Sequence, residues 1–568
     1  MTPSLRHAAR PAARPAASFA ISVTAITVAT ALALAAAPAR DATGPALTVD
    51  ATADVHTIPD TIYGMNFAAE ALAKELALPV RRWGGNSTTR YNFQVDVHNT
   101  GSDWFFENIP EARTPGRTLP DGSTADLFVE QDRRTGTKSL VTLPMAGWVP
   151  KRRPPNDSHP YDCGFQVSRY GAQQQTDPWD TNCGNGVKPT GANVTGNAPA
   201  DTSVAIDATF DQAWIAHLVA NYGLASAGGV AYYEFDNEPE LWSSTHRDVR
   251  PQHLGYDELR DRTWQYGAAV KASDPGAKTL GPSSWGWTAY FYSDLDTAPG
   301  GAWWNNPLDR NAHGGVPLAE WYLQQMRAYE QQHGVRLLDY LDEHYYPQAN
   351  GVYGGATDPA TDALRLRSTR SLWDPTYTDE SWIAQPVQLI PMMRGWVAND
   401  YPGTKIAISE YAWGALGDLN GALAQADVLG IFGRERVDLA TLWGPPASTD
   451  PGAYAFRVYR NYDGAGGRFG NTGVKAASGN QDQVSVYAAR KGKTGALTIV
   501  AINKTGGALT SALTLSHFTA GASAKVYRYS AANLGAIQHL ASVPVTAGVL
   551  NAALPANSIT LYVVPVAK

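Results

Sequence analysis

Two glutamates, Glu238 and Glu410, stand where chemistry is easiest to imagine. The first lies in Tyr232–Trp242, which reads Tyr-Tyr-Glu-Phe-Asp-Asn-Glu-Pro-Glu-Leu-Trp. An apolar approach from Val230 to Phe235 has the character of a buried strand and ends in the carboxylates Asp236, Glu238 and Glu240. The second glutamate closes Ile406–Glu410, another short apolar run. Strand ends of this kind are where α/β barrels keep their chemistry. Taken alone, the first segment also reads as a strand-to-helix junction, with Asn237 as a cap and Pro239 in the first turn. A second acidic strand end favours a carboxylate pair. Such a pair suits glycosidic cleavage: one carboxyl keeps its proton for the leaving oxygen while the other, ionised, attacks the anomeric carbon. The charge on Glu410 disfavours ionisation of Glu238, so the two titrate as a coupled unit.

Positioning two such groups requires a closed frame. Strand-like runs recur at Ile62–Phe67, Val80–Trp83, Leu140–Met145, Val230–Phe235, Thr279–Pro282, Tyr340–Tyr346, Ile406–Glu410 and Val437–Trp443. Helical patterns intervene: Phe210, Trp214, Ile215, Leu218 and Val219 share a face, and Leu318–His333, Val387–Ala398 and Gly421–Arg434 are similar. Eight such units predict an α/β fold, a (β/α)₈ TIM-like barrel over residues 61–448. Glu238 then ends the fourth strand and Glu410 the seventh, across the mouth from each other. Beyond residue 449, short runs such as Val484–Ala488, Leu497–Ile502, Leu513–Leu515, Ala524–Tyr529 and Ile559–Val564 predict a β-sandwich domain over 449–568, with no long helix. Strand-like segments within 40–60 are expected to complete it, since chain termini often lie close together.

Neighbouring strand ends supply candidates for substrate binding. Arg82 and Asn86 follow the second strand, where an arginine could hold the nucleophile ionised and Gly84 and Gly85 allow close approach; solvated arginines in a turn are the plainer reading. Asn237 sits beside the first glutamate. His344 and Tyr346 share a face at the sixth strand end, although a packed structural histidine is the ordinary alternative. Sugars present C–H faces to aromatic rings, so Trp104, Trp285, Trp373 and Trp443 are candidate platforms, some of them also plausible as core.

Composition bounds the rest. A net charge of −7 and 17% charged residues argue against a nucleic-acid surface, and seventeen tryptophans point to an aromatic-lined site. Arg6, His7, Arg10 and Arg14 precede the apolar stretch Ser18–Ala37 and an Ala37-Pro38-Ala39 cleavage site, the pattern of a signal peptide over 1–39. The expectation is a secreted, extracellular monomer with no membrane segment after cleavage. An uncleaved anchor is the alternative. Cys163 and Cys183, the only cysteines, fall in a turn-rich segment of roughly residues 147–205, too long for a bare connector, and are expected to close a disulfide.

The residues resemble a family. Arg82-Trp83-Gly84-Gly85-Asn86, Gly101-Ser102-Asp103-Trp104, Asp236-Asn237-Glu238-Pro239, Ser368–Pro375, Ser409-Glu410-Tyr411 and Ala424–Arg434 are similar to glycoside hydrolase family 44. The resemblance runs from about Thr61 to Trp443. It implies a retaining, endo-acting hydrolase of β-1,4-glucans and xyloglucan, with Glu238 as acid/base and Glu410 as nucleophile. No cofactor is implied for catalysis, and a structural calcium is possible; Asp162, Asp177 and Asp180 have no diagnostic ligand spacing. A second barrel family, the arabinofuranosidases, carries a similar Asp-Asn-Glu-Pro-Glu string, and a secreted carbohydrate-binding protein without catalysis is the reading from another class.

Overall fold

In the computed structural model, which describes residues 42–492 and 494–567, eight parallel strands close into a barrel. They are β1 (Gly64–Asn66), β2 (Val80–Trp83), β3 (Lys138–Leu143), β4 (Tyr232–Phe235), β5 (Lys278–Ser284), β6 (Tyr340–Glu343), β7 (Lys405–Tyr411) and β8 (Leu439–Leu442). Each neighbour pair is parallel, and β8 returns to β1. All eight coincide with the segments expected from the sequence. The signal-peptide expectation over 1–39 lies outside the described residues. Among the described residues no helix is long and apolar enough to cross a membrane.

Period-two alternation sorts the strand residues. Val80, Leu140, Tyr232, Leu280, Tyr340, Ala407 and Leu439 point inward and form one apolar layer low in the barrel. On β1 the corresponding place falls to Gly64. A Cβ there would come within 2.5 Å of Val80 and 2.6 Å of Thr441, so the closed barrel leaves no room for a side chain. Two residues further along, the inward positions turn polar: Asn66, Arg82, Thr142, Glu234, Asp342, Ser409 and Thr441, all fully buried.

The outer ring is α1 (Glu70–Leu76), α2 (Thr124–Thr135), α3 (Ala208–Tyr222), α4 (Tyr256–Ser273), α5 (Leu318–His333), α6 (Leu389–Asp400), α7 (Leu419–Arg434) and α8 (Pro451–Arg460). Ser123, Asp207 and Asp418 cap α2, α3 and α7 by accepting an N–H of the first turn. The eighth helix corrects the sequence reading, which ended the barrel at 448 and expected no long helix beyond. Gly and Tyr residues weaken the helical signal of Pro451–Arg460, but its apolar stripe, with Pro451 in the first turn, packs against α7.

Four of the remaining strands make two short two-stranded sheets, and the other eleven described strands form one sheet folded into two layers. Thr472–Ser478 joins them: its first half pairs with Val484–Arg490 and its second with Leu47–Asp50. Leu47–Asp50 also pairs with Leu509–Ser516, so both ends of the chain build this domain. Leu497–Asn503 is buried on both faces. Its Leu497, Ile499 and Ala501 enter the sandwich core, while Val500 and Ile502 join the barrel core. Against this layer lies α7, whose small residues permit close approach; a Cβ at Gly430 would sit 2.2 Å from the Tyr487 ring. The seam is fastened by buried Asp427 of α7, which accepts from Tyr487 Oη (2.7 Å) and Lys504 Nζ (2.7 Å).

Candidate active site

The polar layer rises into a network at the carboxyl end of the strands. At its centre is Arg82, fully buried, with its ordinary ionisation strengthened despite burial because Glu234 and Glu410 flank it. Its Nε donates to Glu234 (2.9 and 2.7 Å), Nη1 to Asn66 Oδ1 (3.0 Å) and Glu410 Oε1 (2.6 Å), and Nη2 to Asn237 Oδ1 (2.8 Å). A planar fork bonding four partners at once demands fixed geometry from each. Asn66 is itself fixed by donating Nδ2 to the carbonyls of Ser409, Thr441 and Leu442. Burial would raise the Glu234 carboxyl, but the charges of Arg82 and His344 outweigh it and hold that group below its ordinary value.

Glu410 accepts a second bond on Oε2, from the Tyr346 hydroxyl (2.8 Å). Opposite it, Glu238 lies just past β4 in the left-handed region (φ 47°), with its N–H bonded to the Ser283 carbonyl (3.1 Å). That backbone conformation is costly for a residue with a Cβ and aims the side chain back over the barrel. Burial, reinforced by the charge of Glu410, raises the Glu238 carboxyl above its usual range. Oxygens of Glu238 and Glu410 and a nitrogen of His344 all lie within 4.8 Å of one another.

His344 is fully buried between the two glutamates: Nδ1 is 3.0 Å from Glu238 Oε1 and 3.6 Å from Glu410 Oε2. Its other nitrogen, Nε2, meets Ser409 Oγ at 3.1 Å. That hydroxyl gives its own hydrogen to Asp342 Oδ2 (2.6 Å), so it accepts from Nε2. Burial disfavours the imidazolium, yet Glu410 and Glu238 prevail and push the ring up to about 9. With Nε2–H committed to Ser409, Nδ1–H of the cation donates to Glu238 Oε1. The second oxygen of Glu238 is left to carry a proton toward the cleft.

The cleft above the pair, a cavity of about 710 Å³, is lined by Glu238, Trp285, Tyr346, Tyr353 and Trp443, among others. Gly85 (φ 95°) abuts the Trp443 ring, which a Cβ would meet at 2.5 Å. Of the residues expected to meet substrate, Tyr346, Trp443 and Trp285 line this cleft. Several other expectations need correction. Arg82 is sealed beneath the cleft, out of reach of a substrate, although it does bond Glu410, the other role the sequence reading allowed it. Asn237 is neither a free ligand nor a cap; Oδ1 accepts from Arg82 and from Gly85 N (3.2 Å), and Nδ2 donates to Asn86 Oδ1 (3.1 Å). Asn86 passes that bond on to Asp103 Oδ2 (3.0 Å), making it a brace between loops. Trp373 lies under the Arg434 guanidinium (4.0 Å), which also covers Tyr487, so it belongs to the seam with the sandwich. Trp104 is 38% exposed beside Trp179, outside the residues lining the cleft. The sequence reading missed Asn66, Glu234, Asp342, Ser409 and Tyr353. Alternation was a signal for two of them, stepping back from Glu238 to Glu234 and from His344 to Asp342.

A disulfide joins Cys163 and Cys183, as expected. Close by, Glu107 and Asp177 are buried, and no hydrogen-bond donor reaches Glu107 Oε1 or Asp177 Oδ1. Burial, with Asp177 and Asp180 adding repulsion, pushes Glu107 up to about 8. Asp162 is excluded from any such grouping, being clamped by Arg152 through two 2.8 Å bonds.

A parallel (β/α)₈ barrel with opposed carboxylates at its carboxyl mouth defines the architectural class of the barrel glycosidases. Comparison with known proteins narrows it. Residues 97–349 match the model of glycoside hydrolase family 44. CelM2, a bifunctional glucanase-xylanase protein from a metagenome library, superposes with a TM-score of 0.88 at 44% identity, covering 92% of this chain and 99% of that one. A Paenibacillus polymyxa xyloglucanase of family 44 gives a TM-score of 0.75 at 30% identity, covering 92% and 100%. Endoglucanase A of Paenibacillus lautus is 34% identical over 473 residues, which cover 80% of this chain but only 62% of the relative's length. The chain belongs to glycoside hydrolase family 44. A family 51 arabinofuranosidase from Xanthomonas axonopodis pv. citri, at 14% identity and a TM-score of 0.54, shares the fold alone.

Proposed function

We propose that this protein is a secreted, retaining endo-hydrolase of β-1,4-glucan backbones, xyloglucan included, with Glu410 as nucleophile and Glu238 as acid/base. The observation that carries this reading is the unequal support of the two carboxyls. Glu410 accepts hydrogen bonds from the Arg82 guanidinium and the Tyr346 hydroxyl, which fix its carboxylate in place. Glu238 is buried against a histidine, with its carboxyl raised. Their separation, within 4.8 Å between nearest oxygens, fits the ~5–5.5 Å of retaining pairs better than the ~6.5–9.5 Å that leaves room for an inverting water. Glu410 attacks the anomeric carbon as Glu238 protonates the departing glycosidic oxygen, leaving a glycosyl ester on Glu410. Glu238, now ionised, takes a proton from water, which displaces the ester and restores both groups. The names of the relatives, a xyloglucanase, an endoglucanase and a glucanase-xylanase, support the substrate class.

The test is reducing-end release and viscosity, followed together on carboxymethylcellulose, xyloglucan, xylan and arabinan. A rapid viscosity drop with few new ends on the glucans is expected. Release from arabinan alone would move the protein to the arabinofuranosidases, and no release from folded protein would leave a binding protein. Glu410→Gln should lose about 10⁴-fold or more in turnover while still binding glucan; wild-type-like rates would sink the nucleophile assignment. Glu238→Ala should lose least on substrates with good leaving groups, which need no proton.

The reading includes a structural calcium between Glu107 and Asp177. Unpartnered buried carboxylate oxygens are what a hard cation satisfies, and its charge would oppose the burial and the neighbouring acidic charges that raise Glu107. Added calcium should raise the melting temperature of wild type and leave Glu107→Gln unmoved; equal responses would remove the site. The disulfide accords with secretion into an oxidising compartment.

A further inference from the structure

The long segment after β3 is closed on itself by the Cys163–Cys183 disulfide. It carries Trp179, which is 71% exposed, more than any other large hydrophobic side chain among the described residues. Trp179 sits on a turn that is unusually well tied down. Asp177 N bonds the Cys183 carbonyl (2.9 Å), Cys183 N bonds the Asp180 carbonyl (2.8 Å), and Asp180 N bonds Asp177 Oδ2 (2.8 Å). The disulfide fastens the end of that turn to Cys163. A rigid loop that holds a tryptophan out in solvent gains nothing in stability from the ring, and exposed aromatic patches of this kind mark binding surfaces.

The ring has one aromatic neighbour. Trp104, from the loop after β2, lies 5.7 Å away at an interplanar angle of 39°. Both loops leave the carboxyl ends of their strands, the same face as the cleft. Trp104 follows Asp103, which is two hydrogen bonds from Asn237 through Asn86. Asn237 is the residue before Glu238. The two indoles thus form an apolar platform tied by a short bonded chain to the reacting centre.

We propose that Trp104 and Trp179 form a distal subsite that stacks a glucose ring of the same β-1,4-glucan chain, beyond the residues bound at the glutamate pair. This rests on the β-glucan reading above. Indole faces receive the C–H faces of pyranose rings, and the platform offers them with no fixed charge of its own. The segment after β3 is then a chain-length selector: short oligosaccharides reach the glutamates without touching it, and longer ones gain it.

The test is a binding titration of cello-oligosaccharides from cellobiose to cellohexaose in the Glu410→Gln background, which binds without turnover. Affinity should climb with length until the platform is reached. Trp179→Ala should remove the last part of that climb, about a fivefold loss for the longest chains, with Trp179→Phe recovering part of it. Trp304→Ala, at another exposed tryptophan, serves as the control. Circular dichroism verifies that each variant is folded. An unchanged length dependence in Trp179→Ala overturns the subsite, and so does an equal loss at every length. The wild-type viscosity assay separates the two ideas. Hydrolysis with unchanged length dependence defeats only the subsite, whereas a Trp179-dependent climb without hydrolysis defeats only the hydrolase reading. No binding at any length defeats both.

Discussion

The barrel interior holds two layers that differ by two residues along each strand and by nearly everything in chemistry. The lower layer, from Val80 round to Leu439, is apolar and closes the barrel by packing. The upper one, from Asn66 round to Thr441, is polar on every strand but β5, where Pro282 stands, and is sealed from water. The lower layer is stabilised by area removed from water, a non-directional contribution that tolerates substitution by shape. The upper layer depends on every donor meeting its acceptor, since a buried charge without its partner costs several kcal/mol. Stability and chemistry are thus stacked on the same eight strands, and what separates them is a single pleat repeat.

Breaking the upper layer should have the larger effect. Arg82→Ala leaves Glu234 and Glu410 buried together without their shared cation, so a loss of about 3–5 kcal/mol is expected by urea denaturation, with activity lost as well. A variant of near-native stability would show the guanidinium to be dispensable and dissolve the distinction. In the lower layer, Leu280→Ala should cost about 2–5 kcal/mol, yet leave kcat/KM of the folded enzyme within about threefold. A catalytic defect as large as that of Arg82→Ala would mean that the layers are not separable.

The smallest effect sharpens the comparison from outside the barrel. Glu343 is the outward neighbour of Asp342 on β6; both its oxygens are buried without partners, and burial together with Glu240 holds its carboxyl well above the ordinary value. The folded protein therefore keeps a proton that the unfolded chain gives up. Stability from this group is greatest below the unfolded pKa and declines as pH rises toward the folded one, by ~1.4 kcal/mol per pH unit. Glu343→Gln should flatten that slope between pH 5 and 7, read from urea midpoints. A slope equal to wild type would place the proton elsewhere.

The strands were legible in the sequence because each is short, apolar and bounded by turn residues. The two glutamates were legible because they interrupt such runs at the end. What stayed hidden was the sealing of polar residues within the runs. Glu234 and Ser409 look like ordinary strand interruptions until the barrel closes and sets them beside Arg82 and His344. The role of Arg82 was half visible: a cation near the nucleophile was expected, but its complete burial depends on contacts from β1, β4 and β7. Trp373 went the other way. It was a candidate platform as a tryptophan, but its partners Arg434 and Tyr487 come from a helix and a sheet far along the chain. Pro451–Arg460 escaped because its stripe is short and partly aromatic, and packing on α7 is what completes it.

The last long strand, Ser558–Val564, lies between Leu497–Asn503 and Ser523–Ser530, in the middle of the sheet layer that backs the barrel. Leu47–Asp50, among the first residues described, waits for partners at Thr472–Ser478 and Leu509–Ser516. During synthesis the barrel strands therefore emerge well before the sheet that supports α7 can close. A chain lacking Ser558–Val564 would miss a central strand, exposing two unpaired edges at once. Completion of the fold is in this sense a proofreading step: only a chain that includes Ser558–Val564 closes the layer that backs the barrel.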